Sequence, residues 1–361
     1  MAKLSTPLAR AEAFAKTYNL RLPILLAPMA GVSAPGLSIA VANAGGMGSC
    51  GVLLMQPEAI RKWASDVRGG SNGAFQLNLW IPDPPPRRDA ASEATIRTFL
   101  GAWGPEVPAE AADSAPPDFA AQCEAMLAAA PPVISSVMGL YPPAFIARMK
   151  ARGIKWFANI STVSEAIAAR DAGADAIVAQ GMEAGGHRGA FEAATAEARM
   201  IGLFALLPAV VDAVDVPVIA TGGIADARGV AAALALGASA AQIGSGLLRC
   251  PEAGIPAAWA DALGRARPED TMITRAFSGR PGRSIATAYA RAAASPDAPA
   301  PAPYPVQRGL TQAMRDQAVR DNNIAGLQAW AGQSSGLAQQ RPAGELVQAF
   351  WDGAQTILGG L

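Results

Sequence analysis

The feature that most constrains the fold is a regular alternation of short apolar segments with helical segments over the first two thirds of the chain. Each apolar segment has the length of a strand that is buried on both faces. Each is followed by a segment with the apolar spacing of a helix. We predict strands at residues 25–31, 46–50, 74–79, 132–137, 154–159, 174–179, 216–221 and 238–243.

Eight strand–helix units in succession predict an α/β fold, a (β/α)8 TIM barrel with a parallel sheet. The first barrel helix is expected to start at Ser33 or Pro35. Ser161 or Thr162 should cap a later helix that runs to residue 171 and is closed by Gly173. A further helix is predicted over residues 226–236. An open, doubly wound sheet is the competing architecture. Such a sheet would normally carry a glycine-rich fingerprint after its first strand, and the segment that follows residue 31 does not contain one.

Two segments interrupt the alternation. Residues 82–117 hold a cluster of prolines, which indicates an insertion after the third strand. Beyond Pro251 the barrel pattern stops, and helices are predicted at 311–330 and 342–358. We therefore predict two domains, a barrel of residues 1–80 and 118–265 and a smaller helical substrate or lid domain of residues 81–117 and 266–361.

Charge, hydropathy and cysteine content exclude several classes of function. The formal net charge is +0 and charged residues make up 16% of the chain, so we expect no partner nucleic acid. No apolar run is long enough to cross a bilayer, and residues 1–20 carry charges instead of a signal-peptide core. Cys50, Cys123 and Cys250 are scattered without metal-ligand spacing, which favours a reducing, cytoplasmic location and no metal site.

The sixth predicted strand leads into the stretch with the strongest indication of function. The strand is followed by Gln180 and then by a glycine-rich turn that contains His187, the only histidine of the chain. Glycine permits tight turns and lets a ligand approach the backbone closely. Because active sites of parallel α/β folds lie at the carboxyl ends of their strands, we interpret His187 as the candidate catalytic residue.

Two further glycine turns follow the last two predicted strands, at residues 221–223 and 244–246. Backbone N–H groups in such turns bind phosphate, and barrels commonly place a phosphate site at these two positions. The sequence has no basic cluster suited to a polyphosphate. A single phosphate group on a larger cofactor is therefore the better interpretation.

Amide side chains at other strand ends suit the polar edge of a flavin ring. Gln76 and Asn78 alternate onto one face of the third strand, and Gln180 follows the sixth. Met29 and Ala30, after the first strand, would lie against the flat face of the ring. These amides could also do no more than support neighbouring loops, and both interpretations stay open.

Three segments resemble signatures of the nitronate monooxygenases, formerly called 2-nitropropane dioxygenases. They are residues 180–189 (QGMEAGGHRG), 220–226 (ATGGIAD) and 242–245 (QIGS). The first strand at 27–31 (APMAG) and the tail segments 274–280 (TRAFSGR) and 330–337 (WAGQSSGL) resemble the same family. The resemblance extends from about residue 22 nearly to the C-terminus. The EAGGH block is also found in FMN-dependent enoyl thioester reductases, whereas Gln180 and Arg188 are more similar to the monooxygenase branch.

The resemblance implies an FMN-dependent oxidation of alkyl nitronates, the anions of nitroalkanes. One electron would pass from the nitronate to the flavin, and the flavin semiquinone would react with molecular oxygen, with His187 as the catalytic residue. No metal and no nicotinamide would be needed. The sequence leaves open whether the protein forms a homodimer. The candidate FMN-binding residues are Met29, Ala30, Gln76, Asn78, Gln180, Gly185, Gly186, Gly222, Gly223, Gln242, Ile243, Gly244 and Ser245.

Several points stay open at this level. His187 would act as a general base or as a hydrogen-bond donor, and a protonated imidazole would attract an anionic substrate. Glu183 and Arg188 are expected to shape the loop. Val137 and Met138 stand where many relatives carry bulkier residues, which leaves the substrate open. The alternative functions are an enoyl thioester (enoyl-ACP) reductase that uses NAD(P)H and a non-catalytic flavin-binding scaffold.

Overall fold

The structure is a computed structural model, and it describes residues 6–32 and 34–359. Within these ranges the strands form one large parallel sheet and one small antiparallel sheet. The strands are β1 (Ile24–Leu26), β2 (Gly48–Gly51), β3 (Phe75–Trp80), β4 (Val133–Val137), β5 (Lys155–Ile160), β6 (Ala176–Gln180), β7 (Gly186–His187), β8 (Val218–Thr221), β9 (Ala240–Ile243), β10 (Thr271–Thr274) and β11 (Gly282–Ile285).

The large sheet closes into a barrel. Its spatial order is β1, β9, β8, β6, β5, β4, β3 and β2, and all neighbouring strands run parallel. Leu25 of β1 forms a parallel bridge with Met47, which directly precedes β2, and the N–H of Leu26 donates to the carbonyl of Met47 at 2.8 Å. These contacts join the two ends of the sheet. The predicted TIM barrel is therefore confirmed, and the open sheet is excluded.

Helices surround the barrel and also build the segments outside it. They are α1 (Pro7–Thr17), α2 (Pro35–Asn43), α3 (Pro57–Gly70), α4 (Ala90–Leu100), α5 (Phe119–Ala129), α6 (Pro143–Ala151), α7 (Val163–Asp171), α8 (Leu203–Ala213), α9 (Ala227–Ala235), α10 (Ala257–Arg265), α11 (Ala288–Ala292), α12 (Val306–Leu310), α13 (Gln312–Arg320) and α14 (Ala343–Gly359). The sequence did not predict α1. Ser33, one predicted starting point of α2, lies outside the described residues, and α2 begins at Pro35.

Local signals decide where several barrel helices begin and end. The Thr162 hydroxyl accepts the N–H of Glu165 at 3.2 Å and caps the start of α7. Gly173 follows this helix with a φ of +93°, a left-handed conformation that favours glycine. The Asp226 carboxylate caps α9 in the same way as Thr162 caps α7, because it accepts two backbone N–H groups of the first turn. The sequence predicted these boundaries because the capping groups lie beside them.

Helix α1 covers the amino-terminal end of the barrel. Phe14 of α1 packs into a buried apolar layer inside the barrel, and its ring centroid lies 6.3 Å from that of Phe157 in β5. The same layer contains Leu25, Met47, Val133, Ala176, Val178, Ile219 and Ala240. Side chains therefore fill the barrel interior at this end, and the space inside the barrel lies toward the carboxyl ends of the strands.

The insertion and part of the tail share an apolar cluster that is separate from the barrel core. Ile96 and Leu100 of α4 belong to this cluster together with Phe277, Leu310 and Met314 of the tail. Helix α14 differs, because its buried residues, including Trp351, belong to the barrel core. The division into a barrel and a helical lid domain stays a prediction.

Two sequence interpretations of the tail and of the histidine turn were wrong. The helix predicted at 311–330 ends with α13 at Arg320, and Trp330 instead forms an antiparallel bridge with Ser284 of β11. The glycine-rich turn is partly a strand, because β7 pairs with β11 and places His187 opposite Gly282. A two-residue strand that pairs with a segment far along the chain has no local sequence pattern.

Three further findings concern only the residues that the structure describes. No helix there combines the length and the apolar character needed to span a membrane. No group of three or more His, Cys, Asp or Glu side chains is arranged to hold a metal ion. The side chains of Cys50, Cys123 and Cys250 are buried.

Candidate functional site

A cavity of about 340 Å³ lies at the carboxyl ends of the barrel strands. Strand ends and the segment after β1 form its floor and one wall, and tail residues between 259 and 334 cover it. Ile243 does not line it, since this side chain is fully buried in the barrel core. The sequence-predicted residues that line it are Met29, Ala30, Gln76, Asn78, Gln180, Gly185, Gly186, His187, Gly222, Gly223, Gln242, Gly244 and Ser245.

Two amide atoms in the cavity wall are buried without a hydrogen-bond partner among the described residues. Gln76 donates from Nε2 to Oε1 of Gln242 at 3.0 Å, but its own Oε1 has no partner. Nδ2 of Asn159 in β5 is also buried and without a partner. Nearly all buried polar groups in proteins are hydrogen-bonded, so these two atoms indicate a place for a polar bound group.

The other two predicted amides are partly committed to neighbouring groups. Asn78 donates from Nδ2 to the hydroxyl of Ser135 at 3.0 Å. The Oε1 atom of Gln180 accepts the N–H of Gly189 at 2.7 Å, and its Nε2 donates to the carbonyl of His187 at 3.1 Å. Gln180 therefore holds both sides of the loop that carries the histidine. This arrangement agrees with the alternative interpretation, in which the amides support neighbouring loops.

The glycines let three backbone segments meet beside the cavity. A Cβ atom on Gly185 would lie 2.5 Å from the backbone nitrogen of Gly332 and 2.9 Å from Oγ of Ser245, which is closer than real Cβ contacts. Gly222 and Gly223 adopt φ angles of +109° and +70°, where glycine is favoured. The two predicted glycine turns are thus brought together with the loop that precedes His187.

His187 projects into the cavity between two tryptophans. Its ring centroid lies 4.7 Å from that of Trp80 and 4.8 Å from that of Trp330, with an edge-on arrangement in both cases. Its Nε2 atom lies 2.7 Å from Oγ of Ser278. Strand pairing with β11 fixes the backbone. The imidazole is therefore held in one orientation by contacts on three sides.

These surroundings keep the imidazole neutral. The pKa of His187 is lowered to about 3, first by burial and then by the positive charges of Arg280, Arg308 and Arg315. The ring is partly exposed to the cavity, but this space lies deep in the protein, which explains the strong desolvation. The expectation of a protonated imidazole that attracts an anion is therefore wrong for the protein without a bound ligand.

Two arginines of the tail supply positive charge to the cavity instead. Arg308 of α12 and Arg315 of α13 both line it, and neither forms a salt bridge within residues 6–32 and 34–359. Arg315 donates to the hydroxyl of Thr311 at 3.1 Å and to Oε1 of Gln328 at 3.2 Å. Burial lowers the pKa of Arg315 to about 10, so this guanidinium stays charged at neutral pH. The cavity is thus suited to an anion.

Sequence analysis missed the aromatic and cationic residues of the site. Trp80 had a signal, because it continues the alternation of Gln76 and Asn78 on β3. Ser278 and Trp330 lie in tail segments that resemble the family, but no local pattern places a tail residue over the barrel. The missed cavity-lining residues include Trp80, Asn159, Trp259, Ser278, Tyr304, Arg308, Arg315 and Trp330.

Glu183 and Arg188 shape the histidine loop, as predicted. The Glu183 carboxylate accepts the N–H of Leu203, at the start of α8, at 2.9 Å. The buried Arg188 guanidinium donates to the carbonyls of Gln180 at 2.9 Å and Gly181 at 2.7 Å. Both charged groups are thus used to hold backbone, and neither lines the cavity.

Comparisons with known proteins agree with this architecture. Residues 12–353 match the sequence profile of a family described as nitronate monooxygenase. A nitronate monooxygenase from Paraburkholderia phytofirmans is 39% identical over 331 residues, which cover 90% of each chain. The structure of nitroalkane oxidase from Streptomyces ansochromogenes superposes with a TM-score of 0.86 at 34% identity, over 95% of this chain and 99% of that one. FabK from Thermotoga maritima gives a TM-score of 0.75 at 26% identity, over 96% and 97% of the two chains.

The family match includes the barrel, the histidine loop and the tail segment that covers the cavity. The relatives are aligned over nearly their full length, so the similarity is not confined to the common barrel fold. On these grounds the chain belongs to the nitronate monooxygenase family of flavin-dependent oxidoreductases.

Proposed function

We propose that this protein is an FMN-dependent monooxygenase that oxidises alkyl nitronates with molecular oxygen. The observation that carries the proposal is the combination, in one cavity, of a neutral histidine, two arginines without a salt bridge and two buried amide atoms without a hydrogen-bond partner among the described residues. A planar anionic substrate would account for the histidine and the arginines, and a flavin ring with a polar edge would account for the amide atoms. The name of the Paraburkholderia relative, nitronate monooxygenase, points to the same reaction.

FMN fits the groups that line the cavity. The polar edge of its ring offers both donors and acceptors, which suits Oε1 of Gln76 and Nδ2 of Asn159. The left-handed turn at Gly222 and Gly223 exposes backbone that suits a phosphate. The chemistry that FMN supplies when bound is the transfer of single electrons from the nitronate to molecular oxygen.

We infer that His187 acts mainly as a hydrogen-bond donor to the nitronate. A nitronate has already lost its carbon-bound proton, so a base is not required for this substrate. A neutral imidazole keeps one N–H, and the edge-on tryptophans hold the ring in place. With a neutral nitroalkane, the same ring would have to accept the proton, for which a pKa near 3 is poorly matched.

Arg308 and Arg315 would supply the attraction for the anion. A hydrogen bond to a charged group contributes about 1.5–3 kcal/mol, and the buried setting of Arg315 limits screening by water. Arg308→Gln should therefore lower kcat/KM for a nitronate by about 10- to 100-fold. Arg308→Lys keeps the charge and is the matched control. Equal activity of wild type and Arg308→Gln at low salt would contradict this role.

The deciding experiment is anaerobic mixing of the purified, FMN-loaded protein with a small nitronate or with NADH. We expect the nitronate to change the flavin spectrum and NADH to leave it unchanged. Admission of oxygen should restore the oxidised spectrum. Rapid reduction by NADH together with no reaction with nitronate would overturn the proposal and favour an enoyl thioester reductase. Full turnover by His187→Gln would remove the histidine from the mechanism.

A further inference from the structure

A second cavity of about 250 Å³ adjoins the one that contains His187. The proline-rich insertion after β3 forms most of its wall, and Phe119 of α5 and Pro305 of the tail complete it. The two cavities share Leu53, Trp80 and Tyr304 as lining residues. The insertion thus builds a compartment next to the reaction site, and the proposed reaction does not account for it.

The wall of this second cavity is almost free of available polar groups. Proline has no N–H, so a wall of proline rings offers no backbone donors from these residues. The Asp83 carboxylate is engaged in a salt bridge with Arg280 at 3.0 Å. Nε2 of Gln122 donates to the carbonyl of Val52 at 2.9 Å and to two further carbonyls. The lining prolines are Pro82, Pro84, Pro86, Pro116, Pro117 and Pro305.

Only one aromatic layer separates the second cavity from His187. The Trp80 ring lies 4.7 Å from the imidazole and 5.2 Å from the ring of Tyr304. The Tyr304 hydroxyl is buried and has no hydrogen-bond partner among the described residues. A buried hydroxyl without a partner is costly, and this one lies in the wall where a ligand would pass from one cavity to the other.

We propose that the proline-lined cavity holds the hydrocarbon chain of a primary alkyl nitronate whose charged group lies beside His187. This inference rests on the proposed function and narrows its substrate class to nitronates with a chain of several methylenes. The two cavities divide the ligand by polarity, because the cations Arg308 and Arg315 line only the first cavity. The rigid proline backbone makes the apolar cavity preformed, which lowers the entropic cost of binding a chain.

The test compares kcat/KM along a series of primary nitronates, from ethyl to octyl, in wild type and in Pro117→Trp. Pro117 lines the second cavity but not the first, and an indole there should fill the space. Each methylene that enters an apolar site should raise kcat/KM about fourfold. We expect Pro117→Trp to abolish this increase for the longer chains and to leave ethyl nitronate unchanged. Pro117→Ala is the matched control and should keep the increase.

Two additions keep the test decisive. Pro86→Trp fills the cavity from the other side of the insertion, in case Pro117→Trp does not fold. Binding of straight-chain carboxylates from acetate to octanoate, measured by calorimetry with FMN-loaded protein, does not require turnover. If nitronates are not oxidised but octanoate binding is lost in the tryptophan variants, the subsite stands and the proposed function fails. The inference would be overturned if kcat/KM of the wild type did not depend on chain length. It would also be overturned if the tryptophan variants lost the same fraction of kcat/KM for every chain length, which would indicate that the second cavity is an access route.

Discussion

The protonation state of His187 can be tested with a single NMR signal, because the chain contains no other histidine. Burial holds the pKa of this imidazole at about 3. At pH 5, two units higher, about 1% of the folded molecules would carry the proton. An imidazole with an unperturbed pKa near 6.5 would be about 97% protonated at the same pH. Acidification therefore separates the two possibilities almost completely.

The same shift in pKa couples protonation to stability. The pKa of His187 is lower in the folded protein than in the unfolded chain, so between about pH 3 and pH 6.5 the unfolded chain binds more protons. The free energy of unfolding should therefore decrease as the pH falls through this window, by up to about 1.4 kcal/mol per pH unit from this residue. Above pH 6.5 the contribution is complete and no longer changes. His187→Gln lacks this contribution, so the difference between the two proteins isolates it.

The assay is a titration of protein labelled with ¹³C in the imidazole and purified without a histidine tag. We expect the folded signal to stay at its neutral position down to about pH 4 and the signal in concentrated urea to titrate near pH 6.5. Urea unfolding of wild type and His187→Gln at several pH values measures the energetic counterpart. A midpoint above about pH 5.5 in the folded protein would refute the reasoning, since it would mean that the ring is hydrated in spite of Trp80 and Trp330.

Three further predictions concern the cavity wall and the insertion. Gln76→Met should weaken flavin binding up to about tenfold in a titration, because it removes the buried Oε1 that has no partner in the protein. It should also lower the stability of the flavin-free protein by about 1–3 kcal/mol, because it removes the hydrogen bond from Nε2 to Oε1 of Gln242. Unchanged flavin affinity would contradict the cofactor contact. Gly185→Ala should lower the free energy of unfolding in urea by about 1–3 kcal/mol, since its Cβ would overlap the backbone of the tail. The control Gly69→Ala, which has open space around it, should be neutral or slightly stabilising. Similar values for both variants would show that the tail moves freely. Asp83→Ala should lower the free energy of unfolding by about 3 kcal/mol, because it leaves the buried guanidinium of Arg280 without its carboxylate partner. An unchanged unfolding midpoint would show that this ion pair is solvated.

Much of the fold and part of the site were predictable from local patterns. The period of the apolar residues identified the barrel strands, and helix caps such as Thr162 identified helix ends, because both depend on neighbouring residues. The position of His187 and of the strand-end amides followed from the same patterns. In a parallel barrel, carboxyl strand ends must meet at one mouth. Ile243 illustrates the limit, since a strand-end position does not say whether the side chain points into the core.

The sequence by itself determined the barrel, the end of the barrel that carries the cavity and the place of the histidine, because each is encoded within a few neighbouring residues. Tertiary structure alone decided the chemistry around that histidine. Arg308, Arg315 and Trp330 come from a tail that starts after the barrel is complete, and they reach the cavity only when the tail folds back over it. The tail buries the imidazole and brings positive charge close to it, and both effects lower its pKa. The imidazole therefore stays neutral at a pH where an exposed histidine would titrate. A pKa depends on everything within several ångströms in space, and the chain order does not contain those distances.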